Sequence, residues 1–166
     1  MQTYTSKNTS INSGKLPAVY GKATFSASMI MDYGSGRYTE HIKKHVNGLH
    51  KVYLPFDPYN QPEERNCATA TMVCNAMVRR FPVDVVCSNV LNVIDDDDTV
   101  QKIARHIEEI TTKSGGTGYV TVYEGNRSGT GKRTGSDQYQ RNEPLRNYLR
   151  FFRNASVHNG MIVVGR

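Results

Sequence analysis

Apolar and polar residues follow one another along this chain in a way that predicts β-strands separated by α-helices. Short, nearly uninterrupted apolar runs predict strands at about residues 28–33, 51–56, 83–88, 118–123 and 161–164. Apolar residues at helical spacing predict helices at about residues 38–46, 62–81, 95–112 and 142–153. This alternation favours an α/β fold: a Rossmann-like, doubly wound and mostly parallel sheet of about five strands.

The length of the chain and the composition of its first segment divide it into two parts. Its 166 residues are enough for one domain with a substantial core, which we place at residues 28–166. Residues 1–14 are polar and rich in Thr, Ser and Asn, and apolar side chains follow as far as Phe25. We therefore expect residues 1–27 to form an arm that covers a cofactor or a substrate.

Charge and cysteine content narrow the range of partners. A net charge of +6 makes nucleic acid a candidate partner. Arg146, Arg150 and Arg153 would share one helix face and could contact phosphates, although a solvated face is the commoner role of such a pattern. Three cysteines without a Cys-x-x-Cys pair favour a reducing cytoplasm, and no apolar segment predicts a signal peptide or a membrane span.

The run at residues 29–37 carries the most informative motif of the chain. An apolar strand ends at Asp32, and Gly34 and Gly36 then form a glycine-spaced turn ahead of a helix. Glycines let a ligand approach the backbone, and the following helix offers free N–H groups. Asp57 stands 21 residues after Gly36, where the hydroxyls of a ribose would find an acceptor. The sequence therefore predicts a ligand that carries a ribose.

Two segments together resemble small class I S-adenosylmethionine-dependent methyltransferases, in particular bacterial and phage forms. They are the Asp-Tyr-Gly-Ser-Gly turn at residues 32–36 and the Cys-Ser-Asn-Val-Leu-Asn-Val-Ile run at residues 87–94, which acidic residues follow. The resemblance covers roughly residues 28–124. It implies a cytoplasmic methyltransferase, in the host cytoplasm if a phage encodes the chain, with S-adenosyl-L-methionine as its cofactor.

The resemblance also implies where the cofactor would bind. Asp57 carries over as the ribose acceptor. The family usually has a further strand and helix after the second strand, and their loss here removes the acid that contacts adenine, so Tyr59 is expected to stack on the base instead. The full set of implied cofactor contacts is Asp32, Tyr33, Gly34, Gly36, Asp57, Pro58, Tyr59, Ser88 and Asn89.

The run at residues 57–60, Asp-Pro-Tyr-Asn, also looks like the Asp-Pro-Pro-Tyr with which amino-group methyltransferases of nucleic acids hold their target nitrogen. Its position favours a different role. It follows the second strand, whereas the catalytic motif of those enzymes follows a later strand, a place that residues 88–91 occupy here. The cofactor ribose is therefore the preferred ligand of Asp57.

Methyl transfer from a sulfonium mainly requires alignment of the reacting groups, with a base only where the nucleophile is protonated. Glu124 is the candidate base, and Asn89 and Tyr139 are the candidate substrate contacts near the carboxyl edge of the sheet. Structural roles for Glu124 and for the turn around Tyr139 stay open. The four acids at residues 95–98 are expected to cap a helix, and no metal site is predicted.

Other interpretations stay open at this point. The chain could be a non-catalytic module that binds or sequesters S-adenosylmethionine, with or without a phage origin. A nicotinamide-dependent oxidoreductase is disfavoured, because Tyr38 stands where a dinucleotide turn prefers its third glycine. The methyl acceptor could be a nucleic acid, a small molecule or a protein, and a homo-oligomer is a further candidate assembly.

Overall fold

A computed structural model describes residues 2–7 and 14–165 and shows an α/β protein built on a six-stranded mixed sheet. The chain runs through α1 (Val19–Lys22), β1 (Met29–Tyr33), α2 (Glu40–Gly48), β2 (Val52–Phe56), α3 (Glu63–Arg79), β3 (Val83–Ser88), α4 (Asp97–Ser114) and β4 (Gly118–Thr121). It continues through the small antiparallel sheet of β5 (Lys132–Gly135) and β6 (Gln138–Gln140), and then through β7 (Ala155–His158) and β8 (Met161–Val164). Two 3₁₀ helices span Leu91–Val93 and Leu145–Phe151.

The order of the strands creates a crevice at one edge of the sheet. The order is β2-β1-β3-β4-β8-β7, in which the first four strands are parallel and β8 runs antiparallel to both β4 and β7. The chain moves outward from β1 to β2 and then crosses back to β3 on the other side of β1. Open α/β sheets bind ligands at such a reversal, outside the carboxyl ends of the strands.

Helices cover both faces of the sheet, and alternate residues of each strand supply the two cores. Ile30 packs with residues of α1 and α2, whereas its neighbour Met31 packs with α3 and α4 on the opposite face. The 3₁₀ helix at Leu145–Phe151 completes the second face through Tyr148. No helix in residues 2–7 and 14–165 combines the length and the apolar character needed to cross a membrane.

The acidic run at residues 95–98 begins α4 as expected. Asp96 is the N-cap, and its Oδ2 atom accepts a hydrogen bond from the backbone N–H of Thr99 at 3.0 Å. Asp97 and Asp98 lie in the first turn, where negative charge stabilises the helix dipole. Gly115, with a φ of +85°, ends the helix in the left-handed conformation.

A buried carboxylate fixes the edge of the sheet opposite the crevice. Asp84, the second residue of β3, is fully buried. One of its oxygens accepts from the backbone N–H of Ala27 at 3.0 Å, just before β1, and the other accepts from Thr117 at 2.9 Å, just before β4. One side chain therefore ties together the entrances of three neighbouring strands.

The α/β class is confirmed, and four of the six strands of the main sheet are parallel, but the prediction of about five strands omitted β7 and did not include the antiparallel direction of β8. The sixth strand, β7, has only two apolar residues because it lies at the edge of the sheet. It turns directly into β8 through Asn159 and Gly160, both with positive φ, and such a tight hairpin makes the two strands antiparallel. The Asn-Gly pair was the sequence signal for this hairpin.

The predicted last helix, residues 142–153, is also corrected. Only Leu145–Phe151 is helical, and it is a 3₁₀ helix. Pro144 precedes it with extended ψ, and a proline disfavours helical backbone in the residue before it. Between β4 and this 3₁₀ helix, Lys132–Gly135 pairs with Gln138–Gln140 as the β5–β6 hairpin.

Candidate functional site

The glycine turn after β1 is held closely against β2 and β3. The backbone N–H groups of Gly34 and Ser35 both donate to the carbonyl oxygen of Phe56, at 2.7 and 3.1 Å. Gly34 has a φ of +78°, and a Cβ atom there would lie only 2.3 Å from Cγ2 of Val90. A side chain at this position would therefore be strained in its backbone and would collide with the segment that follows β3.

The carboxylate of Asp57 joins the end of β2 to this turn. It accepts from the backbone N–H of Gly36 through Oδ2 and from those of Tyr59 and Asn60 through Oδ1, each at 2.9 Å. Asn66 of α3 exchanges two further hydrogen bonds of 2.9 Å with the backbone of Asp57. The structure thus brings together the glycine turn and the acid 21 residues beyond it.

A cavity of about 290 Å³ opens beside Asp57 at the crevice. We call it the Asp57 cavity. Apolar side chains of Phe56, Val90, Ile94 and Ile103 form part of its wall. It also contains seven of the nine implied cofactor contacts, namely Tyr33, Gly34, Gly36, Asp57, Pro58, Tyr59 and Asn89. Most of the residues that the resemblance pointed to therefore share one concave surface.

A second cavity, of about 470 Å³, lies on the other side of the glycine turn. We call it the Tyr123 cavity, after the exposed tyrosine that follows β4. It shares Gly34, Gly36, Asn89 and Val93 with the Asp57 cavity, and it contains Ser88, an eighth implied contact. Its other lining residues include Lys15, Pro17, Arg37, Tyr38, His41, Asn92 and Gln140. Two concave surfaces therefore meet at the carboxyl ends of β1 and β3.

Asn89 stands at the meeting point of the two cavities. Its backbone has a φ of +58°, which is uncommon for a residue other than glycine. Its N–H donates to the carbonyl oxygen of Thr121 at 2.9 Å, so the turn after β3 is tied to the end of β4. Left-handed backbone at such a place is a feature found at ligand sites.

Asp32 is the implied cofactor contact that lines neither cavity. Its carboxylate is buried in the core on the α1 and α2 side, where the hydroxyl of Tyr53 donates to it at 2.6 Å. Burial raises the pKa of Asp32 from 3.8 to about 6, although the hydroxyls of Tyr53 and Tyr20 oppose that rise. Asp32 is therefore placed to support the strand that leads into the turn.

Glu124 and Tyr139, two of the three catalytic candidates, are engaged in contacts outside both cavities. The carboxylate of Glu124 accepts from the backbone N–H of Leu145 at 2.6 Å and from Nε of Arg127 at 2.6 Å. The bond from Leu145, followed by that from Arg127, lowers the pKa of Glu124. The ring of Tyr139 stacks on Tyr4, with centroids 5.8 Å apart and planes within 4°. Both side chains hold neighbouring segments in these positions.

Part of the predicted N-terminal arm borders the Asp57 cavity. Gln2, Thr5 and Ser6 line it, and hydrogen bonds anchor this segment to the body of the protein. Thr5 N–H donates to Asp137 at 2.9 Å, and the hydroxyl of Ser6 donates to the carbonyl oxygen of Val93 at 3.2 Å. The rest of the predicted arm at residues 1 and 8–13 lies outside the described residues, as does residue 166.

Two side-chain amides at the base of the Tyr123 cavity form a hydrogen-bonded chain, and the sequence did not predict this pairing. Nδ2 of Asn92 donates to Oε1 of Gln140 at 3.1 Å, and Nε2 of Gln140 donates to the carbonyl oxygen of Tyr123 at 2.9 Å. Asn92 lies within the run that resembles the methyltransferases. Its partner Gln140 is 48 residues away, so no local pattern in the sequence could have paired them.

The basic residues and possible metal ligands add little to this site. Arg150 pairs with Glu143 at 2.5 Å and lies over the ring of Phe151, so it is not free to contact phosphate. Arg141 is buried against Asp97 and the carbonyl oxygen of Ile94. Within the described residues, no cluster of His, Cys, Asp or Glu is arranged to hold a metal ion.

Three comparisons with known proteins gave no match. No protein-family model matches the chain. No curated protein and no solved structure matches it with statistical significance.

Proposed function

We propose that this protein binds S-adenosylmethionine and transfers its methyl group to an acceptor. The observation that carries the proposal is the meeting of two cavities at Gly34, Gly36 and Asn89, at the point where the strand order reverses. Methyl transfer requires a donor and an acceptor bound side by side and in line. Two adjoining cavities provide that arrangement, with the donor on the Asp57 side.

The Asp57 cavity has the chemistry that an adenosine needs. Apolar side chains such as Val90 and Ile94 suit the faces of adenine, and the half-exposed ring of Tyr59 can stack on it. An ionised carboxylate has about four acceptor positions, and three backbone N–H groups occupy three of those of Asp57. The side-chain amide of Asn60 lies 3.3 Å from both oxygens, so a ribose hydroxyl would replace this long contact. A Rossmann-like binding mode follows from this placement.

The methionine part of the ligand would lie along the glycine turn and reach Ser88 and Asn89. Gly34 packs against Val90, whereas the backbone at Gly36 faces open space, which leaves room for a chain of atoms to pass from one cavity to the other. In this arrangement the sulfonium methyl group points into the Tyr123 cavity. An acceptor with a lone pair there would attack the methyl carbon opposite the sulfur, which leaves as S-adenosylhomocysteine.

A non-catalytic S-adenosylmethionine-binding module is the second candidate function. Of the three catalytic candidates from the sequence, only Asn89 lines a cavity in the described part of the chain. Glu124 and Tyr139 are committed to structural contacts, which favours a site without a dedicated base. Such a site can still transfer a methyl group to a nucleophile that carries a free lone pair.

Calorimetric titration with S-adenosylmethionine, S-adenosylhomocysteine and NAD tests the proposal. We expect the two sulfur ligands to bind with one-to-one stoichiometry and NAD to bind far more weakly. Tighter binding of NAD would indicate an oxidoreductase, and no binding of either sulfur ligand would overturn the proposal. Transfer of a labelled methyl group to a panel of acceptors then separates an enzyme from a binding module.

A further inference from the structure

We infer that the Tyr123 cavity recognises an amino-bearing nucleobase of a phosphorylated substrate, and that the Oδ1 atom of Asn92 accepts a hydrogen bond from its amino group. This inference rests on the proposed function, since it names the acceptor class of the same site. The amino nitrogen would form the new bond to the methyl carbon as the carbon–sulfur bond breaks, and one of its two protons would pass to water. It is carried by the orientation of one buried amide and by the side chains around it.

The orientation of Asn92 follows from a carbonyl group that can only accept. The carbonyl oxygen of Tyr123 lies 2.9 Å from Gln140, so Gln140 must turn its NH₂ group toward it. The oxygen of Gln140 then faces Asn92, which must present its own NH₂ group at 3.1 Å. The Oδ1 atom of Asn92 is therefore fixed as an acceptor that points away from Gln140.

That acceptor is buried and unused. Asn92 is only 2% exposed, and its Oδ1 atom has no hydrogen-bond partner among residues 2–7 and 14–165. The nearby guanidinium of Arg141 also has an unpaired nitrogen, but no hydrogen bond joins it to this oxygen. Buried polar groups in proteins nearly always have a partner, and an unpaired one that lines a cavity calls for a donor from a ligand.

The other residues that line the cavity indicate which ligand would donate this hydrogen bond to Asn92. The rings of Tyr123 and Tyr38 are 64% and 43% exposed, and exposed rings in a cavity suit a planar aromatic group. Lys15 and Arg37 supply positive charge at the rim, which suits a phosphate attached to that group. A donor, a flat ring and an anion together describe cytosine or adenine in a nucleotide, free or within a single strand.

Paired nucleotides that differ at one exocyclic group and at the ring nitrogen beside it test the inference. The protein, with and without saturating S-adenosylhomocysteine, is titrated with CMP against UMP and with AMP against IMP. The members of each pair present an amino group or a carbonyl oxygen at the same ring position. We expect the amino member of at least one pair to bind about tenfold more tightly, because a carbonyl would face Asn92 acceptor to acceptor.

Two variants assign the preference to its residue. Asn92→Ala should remove the difference within the pair while S-adenosylhomocysteine binding is retained. Tyr123→Ala, at an exposed position, should weaken both members about equally and keep the preference. Titration with single-stranded oligo(dC) against oligo(dT) then shows whether the nucleotide is recognised free or within a strand.

Each outcome separates the two proposals. Equal binding within both pairs in the wild-type protein overturns the inference without any variant, and so does a preference that survives Asn92→Ala. Loss of S-adenosylhomocysteine binding in the wild-type protein overturns the proposed function instead. The nucleotide titrations without that ligand still decide the inference in that case.

Discussion

The two cavities that meet at the glycine turn are built in different ways. The Asp57 cavity is shaped by backbone groups, because a carboxylate that is 7% exposed gathers three N–H groups around itself. The Tyr123 cavity is rimmed by exposed side chains such as those of Arg37, Tyr38 and Tyr123. A wall of backbone accepts one ligand shape, whereas a rim of side chains can be changed without refolding the site.

This difference agrees with the proposed function, in which the methyl donor is always the same molecule and the acceptor can differ. Substitutions in the first cavity should therefore cost both affinity and fold stability. Substitutions at the rim of the second should affect the acceptor alone. The predictions below test that contrast, beginning with the largest expected effect.

Substitution of Gly34 should be the most damaging change. In Gly34→Val the new Cβ would lie within 2.3 Å of Val90 at a φ of +78°, so the turn must move and the crossing between the cavities closes. We expect binding of S-adenosylhomocysteine to fall more than 100-fold in calorimetric titration. Gly129→Val is the matched control, because its φ of +74° is equally unfavourable but its Cβ would meet open space and Gly129 lines neither cavity. Equal losses in the two variants would contradict this account.

Substitution of Asp57 should weaken ligand binding in the Asp57 cavity, by less than the substitution of Gly34. Asp57→Ala leaves the N–H groups of Gly36, Tyr59 and Asn60 without their acceptor and removes the proposed ribose contact. We expect a loss of about 1–3 kcal/mol in affinity for S-adenosylmethionine, with a lower melting temperature. Asn60→Ala, which removes only two side-chain bonds of 3.3 Å, is the control and should bind nearly normally. Unchanged affinity in Asp57→Ala would refute the ribose assignment.

The buried Asp32 should make fold stability depend on pH. Its pKa is about 6 in the folded protein against 3.8 for the ordinary carboxyl group, so the folded state holds the proton more tightly. Stability from this group is present below about pH 4 and is lost as the pH rises to about 6. Asp32→Asn should remove that loss and make the protein about 2–3 kcal/mol more stable than wild type at pH 7, with little difference at pH 4. Denaturant melts across this range measure it, and parallel curves for the two proteins would contradict it.

The smallest effect should come from the rim of the second cavity. Tyr123→Ala removes a ring that is 64% exposed and lies outside both hydrophobic cores. We expect the affinity for S-adenosylhomocysteine to change less than twofold and the melting temperature to stay within about 2 °C of wild type. A large loss of donor affinity would show that the two cavities are not independent in the way proposed here.

The parallel part of the fold could be predicted from the sequence because its signals are local. The apolar run at residues 83–88 coincides with β3 to the residue, as such a run should when both faces of the strand are covered. The spacing also placed Asp57 after the second strand, and the structure has it at the end of β2, beside the glycine turn at the end of β1, while its contact with a ribose stays a prediction. These inferences depend on one strand and the turn that follows it.

The acceptor side could not be predicted in the same way. Glu124 and Tyr139 were predicted near the carboxyl edge of the sheet, but Tyr139 stacks on Tyr4 near the other end of the chain. Glu124 binds Leu145 across the irregular segment that contains the β5–β6 hairpin. Which side chain faces a cavity there depends on how the N-terminal segment and the β5–β6 hairpin pack together. Propensity and spacing carry no information about such packing, and the orientation of Asn92 is a further case of it.

The two backbone hydrogen bonds that Asp84 accepts have a consequence for how proteins with this architecture can diversify. Because one carboxylate fixes the entrances of β1, β3 and β4, a one-residue slip of any of these strands would break a buried hydrogen bond and turn core side chains outward. The register is thus secured at the end of the sheet farthest from the ligand. Insertions and exchanges in the loops at the opposite end leave that anchor untouched. Under the proposed function, loop replacement would change the acceptor specificity while the spacing of the strand ends stays the same.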